Sequence, residues 1–398
     1  MNATGGRGTT AKGITLIYAQ ILPVMAIVSL FPAIPKLFAQ FGGIAHAQIL
    51  VPMIVTIPSL MIALSSPFAG ALADRIGRRQ TFIGGMILYV ISGLVPVFVA
   101  DLTAIVASRA VLGIAEAFVV TVSSALIGDY FGEQRHKWVA WVGISTSLAG
   151  FMLIAAGGAL ADISWQGPFY IYALAIPGLI LALLFIDEPE VLTKKGAVER
   201  PRAAYPVRQA LLIGSVTLLT SLVYYAEPLH IAQVLTNAGV GSSTRVGILQ
   251  AITSLGFIAG AFGYRYTHRM TIAQHLALAG AFIGVGQLVI GLGHSFEVIA
   301  LGAVFQQFGA GFVIPALLAW GQAILPPEQR GRGLGIWVTT FFAGTFLCPP
   351  MITLLGGMAG GLQPAMAVVG VIALILAGVS LFSGTLFGSS RTLRAQVS

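Results

Sequence analysis

Arg109 and Glu116 stand seven residues apart in an otherwise uncharged run, Leu102 to Ile127. Seven residues is almost two helical turns, so a helix carries both on one face. A charge at the centre of a bilayer costs roughly 2.5–3.5 kcal/mol on insertion scales, and ionisable groups there face a polar cavity. Lack of water favours a protonated acid, whereas a nearby guanidinium favours the carboxylate. A carboxyl balanced between the two can load and release a proton. The same spacing also fits a static Glu116–Arg109 pair, or a direct substrate contact. A second polar stretch, Tyr224-Tyr225-Ala226-Glu227-Pro228-Leu229-His230, places an acid and an imidazole three residues apart beside a helix-breaking proline. It reads as cavity or gate lining, or as an interfacial segment. Gln20, Gln250, Gln306 and Gln307 are further polar groups in apolar runs. They line a cavity or bond between helices. No nucleotide loop, nucleophile elbow or metal-ligand spacing is present. The single cysteine, Cys348, excludes an internal disulfide and a Cys-based metal site. The chain therefore reads as neither an enzyme nor a cofactor or metal protein.

The elements that hold these residues are membrane spans. Of 398 residues, 57% are hydrophobic and 9% charged, against roughly 25% charged in soluble domains. Twelve apolar segments lie at about 14–38, 47–72, 80–100, 103–127, 138–161, 168–186, 209–235, 244–265, 272–293, 297–323, 334–357 and 362–388, each able to cross a hydrocarbon slab ~30 Å thick. The first is too long for a signal-peptide core and reads as a retained helix. The expected architecture is all-α, with a six-helix half at 1–186, a charged linker at 187–208 and a second six-helix half at 209–398. With the N-terminus inside, eighteen of the twenty-one Lys and Arg fall on the cytoplasmic side, which is the positive-inside pattern. It places both termini in the cytoplasm. It also accounts for the net charge of +8 without invoking nucleic acid. The five tryptophans fall near predicted span ends, where such rings sit at headgroups.

Between the second and third spans lies Gly70-Ala-Leu-Ala-Asp74-Arg75-Ile-Gly77-Arg78-Arg79, expected to be a tight cytoplasmic turn. Its pattern resembles the signature loop of the major facilitator superfamily at every position. Gly260 to Arg269, 190 residues later, keeps its first Gly, one Arg and the final Arg with Tyr264 in place of Asp74, and Glu133-Gln-Arg135 returns as Glu328-Gln-Arg330. Parallel repeats of this kind belong to that transporter fold, whose substrate site lies near the bilayer midplane. The resemblance implies that Asp74 and the loop arginines latch the cytoplasmic side. Asp74 would face the N-terminus of the eleventh span, near Gly333–Gly335.

Arg109-Ala-Val-Leu-Gly113 is similar to a fourth-span motif found in proton-coupled members, although Glu116 is not part of it. Gly157-Gly158 is present late in the fifth span, but Leu153-Ile154 replaces the Gly-Pro usual in drug antiporters. Gly128 to Arg135 and Trp165 to Tyr172 still resemble the drug-efflux and sugar-efflux branch. Glycines 143, 150 and 157, and 256 and 260, form smooth faces suited to sliding or to static packing. The resemblance implies a monomeric secondary transporter of the inner or plasma membrane, expelling small amphipathic or hydrophobic compounds in exchange for protons. Proton-linked movement of a sugar or metabolite is the alternative, and a non-transporting sensor or scaffold a remote one.

Overall fold

Hydrocarbon offers no water to an exposed peptide group, so a chain this apolar must close its hydrogen bonds within each crossing segment, as helices do. The computed structural model describes residues 3–189, 207–267, 270–325 and 330–382. Among them there is no strand. The helices are α1 (Ala3–Val28), α2 (Ile34–Phe41), α3 (Ala47–Ile76), α4 (Arg78–Phe98), α5 (Leu102–Phe131), α6 (Arg135–Ile163), α7 (Ala175–Phe185), α8 (Val207–Asn237), α9 (Ser243–Tyr266), α10 (Ile272–Leu292), α11 (Phe296–Ile324), α12 (Arg330–Ala359) and α13 (Leu362–Phe382). Among the described residues, eleven segments are long and apolar enough to cross a membrane, and one of them, residues 102–163, is 62 residues long. At 1.5 Å per residue that is about 90 Å, three times the hydrocarbon thickness. Gly132, at φ 47°, and a short 3₁₀ turn over 132–134 split it into α5 and α6. Twelve crossings fit this arrangement.

Three local features differ from expectation. The first span is two helices, α1 and α2, joined by a 3₁₀ turn at Phe31–Ala33 that contains Pro32. The sixth begins as a 3₁₀ segment, Gly167–Leu174, with Pro168 near its start, before α7 continues it. The expected decapeptide turn at 70–79 is almost entirely helical, because α3 runs to Ile76 and α4 starts at Arg78. Only Gly77 breaks the path, at φ 102° and ψ 151°, a conformation that an L side chain rarely adopts.

The chain divides into two compact units, Met1–Pro201 and Arg202–Ser398. Residues 190–206 of the expected linker lie outside the described residues, as do Arg269, Glu328 and Gln329. In the first unit α5 packs on α3 at Gly113, where a Cβ would overlap the backbone of Pro58. In the second, Gly260 of α9 lies equally close to the carbonyl of Phe308 on α11. Gly157 likewise abuts the Ser29 carbonyl of its own unit, while Gly143 touches nothing within 4 Å. Gly113, Gly157 and Gly260 thus serve helix packing inside each unit. Trp320, near the end of α11, is buried.

Candidate functional site

Prolines inside helices leave carbonyls without their N–H partners, and in a membrane those carbonyls must be satisfied by something else. Pro58 in α3 removes the donor that the Ile54 carbonyl would use. Arg109 supplies it: its Nε donates to the Ile54 oxygen at 3.0 Å. The Arg109 Nη2 donates to the Ala26 carbonyl at 2.9 Å, just before α1 ends at Val28. Tyr172 donates to the same Ala26 oxygen at 2.9 Å. Its ring lies against the guanidinium, 4.7 Å from centroid to carbon, a stacking geometry favourable to Arg. Tyr89 completes the wall, with its ring 6.0 Å from that of Tyr172 and its hydroxyl donating to Leu22 at 2.8 Å.

Glu116 lies halfway along the 30-residue α5 and is fully buried. Neither carboxylate oxygen has a hydrogen-bond partner, and the Arg109 Nη1 has none either. The structure therefore corrects the static-pair reading. Arg109 and Glu116 share a helix face, but the guanidinium is turned to the backbone breaks of α1 and α3. Gln20 also has fixed partners: its amide donates to Ser123 at 2.9 Å and Ser124 at 2.8 Å. It joins α1 to α5.

The second unit repeats the device with different chemistry. Pro228 in α8 removes the donor for the Tyr224 carbonyl, and the Gln306 Nε2 donates to that oxygen at 3.0 Å. Gln306 follows Arg109 by 197 residues, close to the internal repeat distance. The two side chains do one job on equivalent spans, one as a cation and one as a neutral amide. Gln307 beside it donates to the Glu227 Oε2 at 2.6 Å, and Gln250 donates to the Pro228 carbonyl at 3.2 Å. The His230 Nδ1 lies 2.9 Å from the Ala226 carbonyl and must donate to it, which leaves Nε2 as the ring's acceptor. Glu227 and His230 thus take different partners and are not joined to each other. Tyr224 and Tyr225 pack in an aromatic cluster with Phe341, each with centroids 5.5 Å from it, and Trp337 stacks on the far side.

The residues of the signature loop form a third cluster. The Glu188 carboxylate accepts from the backbone N–H groups of Arg78 and Arg79, at 2.7 and 2.8 Å, and so caps the start of α4. It lies so close to Gly77 that a Cβ there would meet it. The Arg79 Nε donates to the Ile186 carbonyl at 2.7 Å, and Arg78 pairs with Asp129. Lys12 pairs with Asp187 at 2.9 Å. Asp74 and Arg75 are exposed, and Gly70 is half-buried in α3. The side chains at 333 and 334, where the partner of Asp74 was expected, lie outside the described residues. Among the described residues no group of three His, Cys, Asp or Glu could hold a metal. Tyr89, Tyr172, Glu188 and Pro58 were missed as site residues, whereas Pro228 was already read as a helix breaker. A proline four positions after a carbonyl was the available signal for two of the donors.

A family model for the Major Facilitator Superfamily matches residues 16–292, more than two thirds of the chain. The chain belongs to the Major Facilitator Superfamily. Its described residues include several helices long and apolar enough to cross a membrane, as a multi-pass member of that family requires. Among curated relatives, the multidrug transporter protein MdtP of Bacillus subtilis is 29% identical over 39% of this chain and 28% of its own length. The class B tetracycline resistance protein of Escherichia coli is 27% identical over 42% of this chain and 41% of its own. The drug efflux pump JefA of Mycobacterium tuberculosis is 25% identical over 67% and 65%. The matched part thus spans less than half the length of the first two. A crystal structure of a bacterial homologue of the human lysosomal transporter Spinster superposes at a TM-score of 0.74, with 16% identity over 97% of this chain and 98% of that one. A peptide transporter of the POT family does so at 0.74, with 15% identity over 94% of each. At that identity the likeness shows the fold alone.

The geometry separates the two charges of α5 by their effect on folding. Arg109→Ala leaves the Ile54 carbonyl buried and unmatched and removes a bond at Ala26, a loss of about 2–4 kcal/mol. Glu116→Gln breaks no hydrogen bond and should change stability by less than about 1 kcal/mol. Thermal unfolding of the purified single and double variants checks this. A large loss for Glu116→Gln that disappears in the Arg109→Ala background would restore the ion pair.

Proposed function

We propose that this transporter exports small amphipathic or hydrophobic compounds in exchange for protons, by alternating access, with Glu116 as the proton carrier. The observation that carries the reading is a carboxyl group in the middle of a span whose oxygens have no hydrogen-bond partner. A permanently charged or purely structural acid would be matched by a donor, as Glu227 is by Gln307. Glu116 is poised to exchange a proton with a cavity that opens to one side and then the other. Arg109 positions the surrounding backbone. The substrate class draws support from the relatives, named for multidrug transport, tetracycline resistance and drug efflux. Gln20, Tyr224, Tyr225, Glu227, His230, Gln250, Gln306 and Gln307 are the proposed surroundings of the transport path. Gly70, Asp74, Arg75, Gly77, Arg78 and Arg79 are the proposed cytoplasmic latch. The working unit is read as a monomer in the lipid bilayer of a cell inner or plasma membrane. Its two six-span halves, 1–186 and 209–398, are joined by a cytoplasmic linker.

In reconstituted vesicles, Glu116→Gln holds the site in a mimic of its protonated form. Substrate binding should persist with a flattened pH dependence, and exchange of substrate across the membrane should continue. Accumulation driven by a pH gradient should fall to background. Glu227→Gln should retain some gradient-driven accumulation, and Asp74→Asn should slow transport without altering its proton requirement. Accumulation by Glu116→Gln equal to that of the parent would place the carrier elsewhere. Orientation is read from the cations: reporter fusions at residues 195 and 398 should report cytoplasm, and a fusion near His294 the outside. Opposite faces for 195 and 398 would break the span count.

A further inference from the structure

The second unit holds an apolar cleft of about 180 Å³ between α8, α10, α11 and α13. On α8 it is lined by Leu212, Val216, Leu219, Thr220 and Val223, a single helical stripe. Its floor is made of small groups. Gly280 of α10 and Ala377 of α13 come so close that a Cβ on Gly280 would lie 3.0 Å from that of Ala377. The cleft opens sideways, because Leu219 and Val379 at its edge are 48% and 53% exposed. Its two hydroxyls are already used: Thr220 donates to the Val216 carbonyl at 2.7 Å and Ser380 to the Leu376 carbonyl at 2.8 Å. Ordered water needs two to four polar partners, so this cavity suits hydrocarbon and not water.

The corresponding seam of the first unit carries an aromatic ring. There Gly178 of α7 meets the ring of Tyr18 from α1 and the methyl of Met86 from α4. α1, α4 and α7 carry the first, third and sixth spans, whose repeats are the seventh, ninth and twelfth, on α8, α10 and α13. The second unit puts no aromatic side chain among the residues lining this seam.

What would fill it follows from its cytoplasmic end. Arg208 lies four residues before Leu212, on the same stripe and one turn beyond the cleft, and it is exposed. Cleft and cation together present a hydrocarbon slot under a positive charge at headgroup level, in the cytoplasmic leaflet of the orientation proposed above. We propose that this cleft is a binding site for one acyl chain of an anionic phospholipid, whose headgroup meets Arg208. The inference rests on that orientation and not on the identity of the exported compound.

The test uses the full chain in nanodiscs containing phosphatidylglycerol with a photoactivatable group in one acyl chain, with adducts mapped by mass spectrometry. Adducts should concentrate on residues 212–223 and 276–283 and fall at least fivefold in Val216→Phe, which fills the slot. Arg208→Gln should lower labelling by phosphatidylglycerol but not by phosphatidylcholine bearing the same chain. Phe substituted at Leu301, an exposed position away from the cleft, should change nothing and shows that an added ring alone has no effect. Labelling spread evenly over the exposed faces of α9, α11 and α12 would overturn the proposal, and so would indifference to Arg208→Gln. A photoactive hydrophobic compound that displaces the lipid from the cleft would also overturn it, making the cleft a compound-binding site. Reporter fusions that reverse the proposed orientation would be recognised separately, since adducts would then form on the same residues from lipid confined to the opposite leaflet.

Discussion

A carbonyl that loses its helical partner inside a bilayer has no water to turn to. That constraint organises both units. Pro58 frees the Ile54 carbonyl and Pro228 frees that of Tyr224. Each is matched by a long side chain from another helix, Arg109 in one unit and Gln306 in the other. The prolines, and the end of α1 near Ala26, can exist at these depths because those donors reach them. The donors are held in turn by close packing, which Gly113 permits where α5 crosses α3.

The choice of donor separates the units chemically. Arg109 brings a positive charge into the first unit, and its hydrogen bonds go to uncharged backbone oxygens. Backbone carbonyls carry partial negative charge, so they hold a guanidinium without neutralising it. Glu116, two turns along the same face, is left with the field of that charge but without a bond to it. In the second unit the donor is neutral, and Glu227 finds an amide. One acid is thus bonded, by Gln307 next to the residue that answers the proline, and the other is not.

Much of this was legible in the chain. The spans, the repeat and the signature at 70–79 follow from composition and spacing, because a bilayer imposes length and polarity directly on sequence. Helix ends were less legible. The turn at 70–79 shrank to Gly77 because helices continue into the headgroup region, where apolar length no longer marks their limits. Whether Glu116 pairs with Arg109 was left open for a different reason. Helical spacing places two residues on one face but does not say which neighbouring helix offers a better partner. The carbonyls of Ile54 and Ala26, 55 and 83 residues away in sequence, decide that. The capping of α4 by Glu188 was invisible for the same reason, since the acid comes from the far end of the unit.

The claim at the centre is that the unbonded carboxyl of Glu116 changes its protonation when substrate binds. The direct measurement is proton release in weak buffer, as purified transporter is saturated with whichever compound raises its thermal stability. The parent should release protons on binding over the pH range where binding is pH-dependent. Glu116→Gln should bind the compound and release about one proton fewer per molecule, the stoichiometry of a single titrating group. Equal proton release by the parent and Glu116→Gln, at equal saturation, would contradict the account.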